Sequence, residues 1–147
     1  MSTPDLFLDS SALFAGVVSP TGASRALLLL AEAKMITLTV SEQVIIETER
    51  AVAHKMPRAI SAYREALRST NLHILPAPTP SEIEPYLNII SHQADVPIVV
   101  AAMKAQTDYL VTLNRKHFID DPAVASKSGL RIGMPGDALA WVRDQLK

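Results

Sequence analysis

The sequence contains no cysteine in 147 residues, which removes disulfides, thiolate zinc sites, iron–sulfur clusters and thiol catalysis together. It also lacks a long apolar run. The longest, Ala26 to Ala31, has six residues, against the roughly 20 a membrane helix needs. Met1 to Asp9 has neither the basic start nor the apolar stretch of a signal peptide. The expectation is a soluble cytoplasmic protein with no membrane partner. No G-x-G-x-x-G and no Gly-Lys-Ser/Thr is present, so neither kind of nucleotide-binding loop is supported. Ser10 and Ser11 are not framed by G-x-S-x-G, which disfavours a serine hydrolase. His54, His73, His92 and His117 form no His-x-x-x-His pair, and a histidine zinc site is disfavoured in turn. Repeats, low-complexity tracts and Gly/Ser linkers are missing as well.

What is present is an ordinary globular composition, 48% hydrophobic and 20% charged, in a length that suits one domain over 1–147. The formal net charge is −1 and hides an asymmetry. Arg50, Lys55, Arg58, Arg64 and Arg68 crowd 50–68 against one acid, Glu65, whereas 69–103 has no Lys or Arg. Such a stretch is either a solvated helical face or a contact for a phosphate backbone.

Apolar runs alternate with helix-period segments, the pattern of an α/β fold with a mainly parallel sheet. Five strands are expected, at Leu6–Leu8, Ile36–Val40, Leu72–Leu75, Tyr109–Leu113 and Leu130–Ile132. Between them lie six or seven helices. One starts at Ser10–Ala15 and gives way to a loop at Gly16–Gly22; the next spans Ala23–Lys34. Ser41 caps a third, with Val44, Ile45, Thr48, Ala51 and Val52 as its apolar stripe. Pro57 opens another, with Ile60, Tyr63 and Leu67 inward. Thr79 to Glu82 and Ser81 to Glu84 are overlapping capping boxes. Pro85 favours the later start, since from the earlier one it would sit deeper in the helix and remove a hydrogen bond. Asp95–Ala105 is a helix, and Pro135 starts the last one, with Leu139, Val142 and Leu146 inward.

Ligands of open parallel sheets bind at the carboxyl ends of the strands. The first strand ends at Asp9, followed by Ser10 and Ser11; the Tyr109 strand ends at Asn114, followed by Arg115 and Lys116. Glu47 and Asp95, each on a neighbouring helix, can reach the same rim. Carboxylate and amide oxygens on one edge suit Mg²⁺ or Mn²⁺, which polarise phosphoryl oxygens and activate water for phosphodiester hydrolysis. Each residue also has a plainer reading. Asp9 and Asp95 both fit helix N-caps, Asn114 is common after a strand, and Glu47 and Glu49 flank opposite edges of one apolar stripe. His117, three residues past Asn114, could face the rim, but an exposed loop position is the preferred reading.

In order along the chain, these residues resemble a known family. Leu6 to Ala15 is similar to the opening strand and first acid of a PIN domain. Ser41 to Glu47 is similar to its second block, Asp95-Val-Pro-Ile98 to its third, and Asp108 to Phe118 to its fourth. Ile132-Gly-Met-Pro135 with the helix after it matches the last strand. The resemblance implies a three-layer, Rossmann-like PIN fold: a mainly parallel five-stranded sheet flanked by helices. It also implies a divalent-metal-dependent endoribonuclease, with Asp9, Glu47 and Asp95 holding Mg²⁺ or Mn²⁺, and so selects Glu47 over Glu49. Asn114 would position metal, water or substrate, while Ser11 and Thr112 orient the group by hydrogen bonds. Arg50, Lys55, Arg58, Arg64, Arg115 and Lys116 are the candidate RNA contacts. Many bacterial members are toxins of type II toxin–antitoxin pairs, often homodimeric and inhibited by a small antitoxin.

The sequence departs from the family at the fourth acidic position, which is Asn114, and at the preceding glycine, which is Leu113. One charge fewer implies weaker metal binding or lower activity. The alternative is a non-catalytic PIN module that binds RNA or a protein partner. A dehalogenase-like phosphatase also begins with a strand ending in Asp, but its chemistry needs a second Asp where Ser11 stands.

Overall fold

The computed structural model describes residues 2–147. Five strands, β1 (Asp5–Leu8), β2 (Thr37–Ser41), β3 (His73–Leu75), β4 (Tyr109–Val111) and β5 (Ile132–Gly133), form one sheet in the order β3-β2-β1-β4-β5. Every neighbouring pair is parallel. Parallel pairing buries both faces, which is why β1 and β4 are apolar without alternation. Leu6, Phe7, Leu8, Leu110 and Val111 are all within the core.

Helices flank the sheet: α1 (Ser10–Val18), α2 (Ala23–Glu32), α3 (Glu42–Lys55), α4 (Ile60–Ser69), α5 (Pro80–Ile83), α6 (Val96–Lys104), α7 (Arg115–Phe118), α8 (Pro122–Ser128) and α9 (Pro135–Gln145). α1 packs against α2, α3 and α4; α2 meets α9; α6 contacts α5 and β2. Among the described residues, no single helix is long and apolar enough to cross a membrane. The turns leading into β2, β3 and β4 each contain one left-handed residue, Lys34 (φ 63°), Asn71 (φ 52°) and Gln106 (φ 55°). That conformation commonly closes a helix and frees the chain to reverse.

The five expected strands are all found, with ends shifted by one or two residues, but four expectations fail in detail. α1 continues to Val18 where a loop was expected from Gly16. Gly16 is there for close packing: a Cβ would lie 2.8 Å from Leu28 Cδ1 and 3.2 Å from the Ser24 carbonyl oxygen. α5 takes the earlier start, capped by Thr79 with Glu82 reciprocating. Pro85 costs nothing there, because α5 ends at Ile83 and Pro85 falls in the first turn of a short 3-10 helix, Glu84–Tyr86. α7 and α8 occupy a region to which the sequence pattern assigned no helix. Leu146 is exposed, and α9 instead buries Pro135, Ala138 and Val142.

β1 is central. The chain moves from β1 to β2 and β3 on one side, then crosses to β4 and β5 on the other. The order therefore reverses between β1 and β4, and a crevice opens at the carboxyl ends of strands at such a point. Asp9 immediately follows β1, and Thr112 to Asn114 immediately follow β4.

Candidate metal centre at the sheet edge

Asp9 is both an N-cap and something more. Its Oδ1 accepts the Ala12 backbone N–H at 2.9 Å, as a cap should, and also the Ser11 hydroxyl at 2.7 Å. Its Oδ2 accepts the Thr112 hydroxyl at 2.5 Å. The register explains the last contact, since the Asp9 N–H donates to the Val111 carbonyl one residue before Thr112. Ser11 Oγ in turn accepts the Leu113 N–H at 3.0 Å, and Thr112 Oγ1 accepts the Asn114 N–H at 2.9 Å. Two hydroxyls thus lock the Asp9 carboxylate to the end of β4. Asp9 is 6% exposed and Thr112 fully buried. Burial pushes the Asp9 carboxyl above its usual range against the pull of these hydrogen bonds, and the negative charge of Asp95 pushes it further.

Asp95 lies at the end of a 3-10 turn, Gln93–Asp95, that leads into α6, and it makes no side-chain cap there. The capping reading fails for this residue. Its Oδ2 is 3.1 Å from His117 Nδ1. Burial raises its pKa first, with the hydrogen bond to His117 and the attraction of His92 and His117 opposing, and the charge of Glu47 adding to the rise. Glu47 is half-buried on α3 and accepts the Gln43 side-chain amide at 3.1 Å; that amide also donates to the Ala94 carbonyl at 3.2 Å, beside Asp95. Glu49 is exposed and 4.0 Å from Arg64. Asp95 is thus the electrostatic link between Asp9 and Glu47: its charge raises the Asp9 pKa, and the charge of Glu47 raises its own. The acids do not close tightly: among the described residues the group of three whose donor atoms all lie within 4.8 Å is His92, Asp95 and His117.

Asn114 caps α7, accepting the His117 N–H at 3.1 Å through Oδ1. Its Nδ2 lies 2.9 Å from His117 Nδ1. His117, expected from the sequence on an exposed loop, stands half-buried between Asp95 and Asn114 and stacks on His92 with ring centroids 4.2 Å apart. Its place three residues after Asn114 had allowed a rim position, but its separation of 22 residues from Asp95 gave no spacing signal that favoured it.

The six basic residues expected to contact RNA are all exposed. Arg115 and Lys116 open α7 directly after Asn114, and Arg50 is one turn beyond Glu47 on α3. Lys55 sits over the Phe14 ring at 5.5 Å.

The family model of the PIN domain matches residues 5–116. The chain belongs to the PIN domain family. No curated protein matches it in sequence. The PIN domain is similar in structure to VapBC2 from Rickettsia felis, solved bound to a DNA fragment from its promoter, with a TM-score of 0.59 and 22% identity over 88% of this chain and 98% of that one. PAE2754 from Pyrobaculum aerophilum is similar with a TM-score of 0.66 and 17% identity, covering 97% of this PIN domain and 91% of that chain. At these identities the likeness is one of fold. The matched span holds Asp9, Glu47, Asp95 and Asn114 and ends at Lys116, one residue before His117.

Proposed function

We propose that this PIN domain is a divalent-metal-dependent endoribonuclease, the toxin of a type II toxin–antitoxin pair, with Asp9, Glu47 and Asp95 as the residues that hold Mg²⁺ or Mn²⁺. One observation carries the reading. Asp9 is 6% exposed at the strand-order reversal, three hydrogen bonds hold its carboxylate there, and burial first, then the charge of Asp95, raise its pKa. A protein tolerates such repulsion where a cation or a reaction relieves it.

The residues fit a hard cation. Each carboxylate oxygen offers two lone pairs; Asp9 Oδ1 already accepts two hydrogen bonds and Oδ2 one, which leaves Oδ2 a free position. The donors are oxygens, as Mg²⁺ and Mn²⁺ prefer. Mg²⁺ keeps several waters and takes one or two carboxylates directly, so acids that stand apart are no obstacle. When bound, the ion supplies Lewis-acid polarisation of a phosphoryl oxygen and a more acidic water. Thr112 and Ser11 hold the Asp9 carboxylate in one plane, and Asn114 fixes the start of α7, which leaves Arg115 and Lys116 exposed for the RNA backbone. Arg50, Lys55, Arg58 and Arg64, exposed on α3, α4 and the turn between them, are further candidate contacts. A small antitoxin partner belongs to the same proposal, supported by the fold shared with VapBC2; a homodimer and a cytoplasmic location are part of it as expectations.

Incubation with structured and single-stranded RNA tests the activity. Wild type should cleave with Mg²⁺ or Mn²⁺ and stop with chelator, and Asp9→Asn should lose at least about 100-fold, the scale of losing several kcal/mol of charge stabilisation. Full activity in Asp9→Asn removes Asp9 from the chemistry. Specific RNA or antitoxin binding without cleavage at any metal concentration favours the binding-module alternative, which the uncharged Asn114 at the fourth position supports.

A further inference from the structure

No two histidines share a short spacing in the sequence, yet the fold brings two of them to one carboxylate. His92 is the extended residue before the 3-10 turn Gln93–Asp95, and the Asp95 N–H donates to the His92 carbonyl at 2.9 Å. His117 arrives from α7, held by Asn114, with Nδ1 3.1 Å from Asp95 Oδ2 and its ring stacked on His92 at an interplanar angle of 30°. The three donor atoms lie within 4.8 Å of one another.

We infer that His92, Asp95 and His117 form a second cation site, one for a borderline transition ion such as Zn²⁺, Co²⁺ or Ni²⁺. Two imidazoles and a carboxylate are the donor set such ions favour, whereas Mg²⁺ favours oxygen alone. A tetrahedral ion with bonds of about 2.0–2.1 Å separates its donors by about 3.3 Å. The group needs to contract by about 1.5 Å at its widest pair, from 4.8 Å. His92 provides the movement: it is exposed, and its ring makes no hydrogen bond among the described residues. His117 Nδ1 provides a second argument. It lies within bonding distance of both an acceptor, Asp95 Oδ2, and a donor, Asn114 Nδ2 at 2.9 Å. One ring nitrogen either donates or accepts, so one of the two contacts is unsatisfied in either tautomer. An ion bound by His117 Nδ1 and Asp95 Oδ2 replaces the contact between those two atoms and gives up the Asn114 amide contact to the same nitrogen. The site shares Asp95 with the hard-cation site proposed above but stands independently of any catalytic role.

Metal-stripped protein in excess Mg²⁺, titrated with Co²⁺ and followed by visible absorption, tests the inference. Wild type should take up one Co²⁺ with the intense d–d bands of low-coordinate, nitrogen-ligated cobalt, and Zn²⁺ should bleach them. His92→Ala and His117→Ala should each weaken Co²⁺ binding at least about tenfold and lose those bands. Circular dichroism melts check that both fold, and His92, being exposed, provides the secure variant. Asp9→Asn should keep the spectrum even if it loses all RNA cleavage, which separates this site from the nuclease reading. An unchanged spectrum in His92→Ala and His117→Ala overturns the inference, as does the absence of Co²⁺ uptake by wild type.

Discussion

At the scale of single residues, Asp9 concentrates the hydrogen bonds of the rim. Its folded-state pKa lies above the ordinary value of 3.8, so the folded chain takes up this proton at higher pH than the unfolded chain does. The resulting penalty is fully present above the folded pKa and fades as the pH falls through it towards the ordinary value. Asp9→Asn removes the charge and keeps the shape: its carbonyl oxygen still accepts from Ala12 and Ser11, and its amide donates to Thr112. Thermal melts in chelator should therefore show the variant at least as stable as wild type at neutral pH, with the advantage shrinking as the pH is lowered towards about 4, the ordinary carboxylate range. A growing advantage on acidification contradicts the assigned cause. Thr112 makes the opposite case. Thr112→Val preserves volume but leaves Asp9 Oδ2 without its donor and the Asn114 N–H without its acceptor. Denaturant titration should find a loss of about 1–3 kcal/mol, the cost of buried groups left unpaired. A loss below a few tenths shows that these bonds are replaced.

The segment from β4 into α7 is the element on which the site turns, and there the sequence departs from its family. Asn114→Asp keeps the cap, since Asp serves as well as Asn, and adds a charge near Asp95. At about pH 8, where an ordinary imidazole is neutral, the variant should melt lower than wild type in chelator. Its Mn²⁺-induced rise in Tm should be the larger of the two, because affinity for hard cations follows ligand charge and binding stabilises the folded state by mass action. Equal rises place residue 114 outside the site. The strands were readable because parallel sheets demand continuous apolar runs, and Asp9, Asn114 and their neighbours were readable because the rim follows directly from strand ends. The helix boundaries that misled, at Gly16 and Pro85, were places where a breaker residue served packing or fell in an element break. His117 was only partly legible: its place three residues after Asn114 allowed the rim, but its contacts with Asp95 and His92 come from distant parts of the chain. The same hidden kind of contact constrains β5. A Cβ at Gly133 would collide with the Tyr109 hydroxyl, so Gly133→Ala should cost about 1–3 kcal/mol. Part of that should return in the Gly133→Ala, Tyr109→Phe double variant; full additivity refutes the clash.

For the whole molecule, a net charge of −1 gives no general attraction to RNA, so binding depends on where the cations lie. Arg58 and Arg64 are exposed, and Arg64 is only loosely paired with Glu49 across 4.0 Å between exposed groups, an interaction worth little. If both track the backbone, neutralising them together should flatten the dependence of log affinity on log salt by about 0.7–0.9 for each phosphate no longer neutralised. An unchanged slope returns 50–68 to a solvated surface. The central claim is that three acids from β1, α3 and the turn before α6 act as one hard-cation site. Mn²⁺ binding followed by loss of the free-ion paramagnetic resonance signal tests it most directly, with Asp9→Asn, Glu47→Gln and Asp95→Asn set against Glu49→Gln. The account predicts saturable binding in wild type and Glu49→Gln, weakened at least about tenfold in each of the other three. Binding that survives Asp9→Asn and Glu47→Gln, or that falls equally in Glu49→Gln, contradicts it.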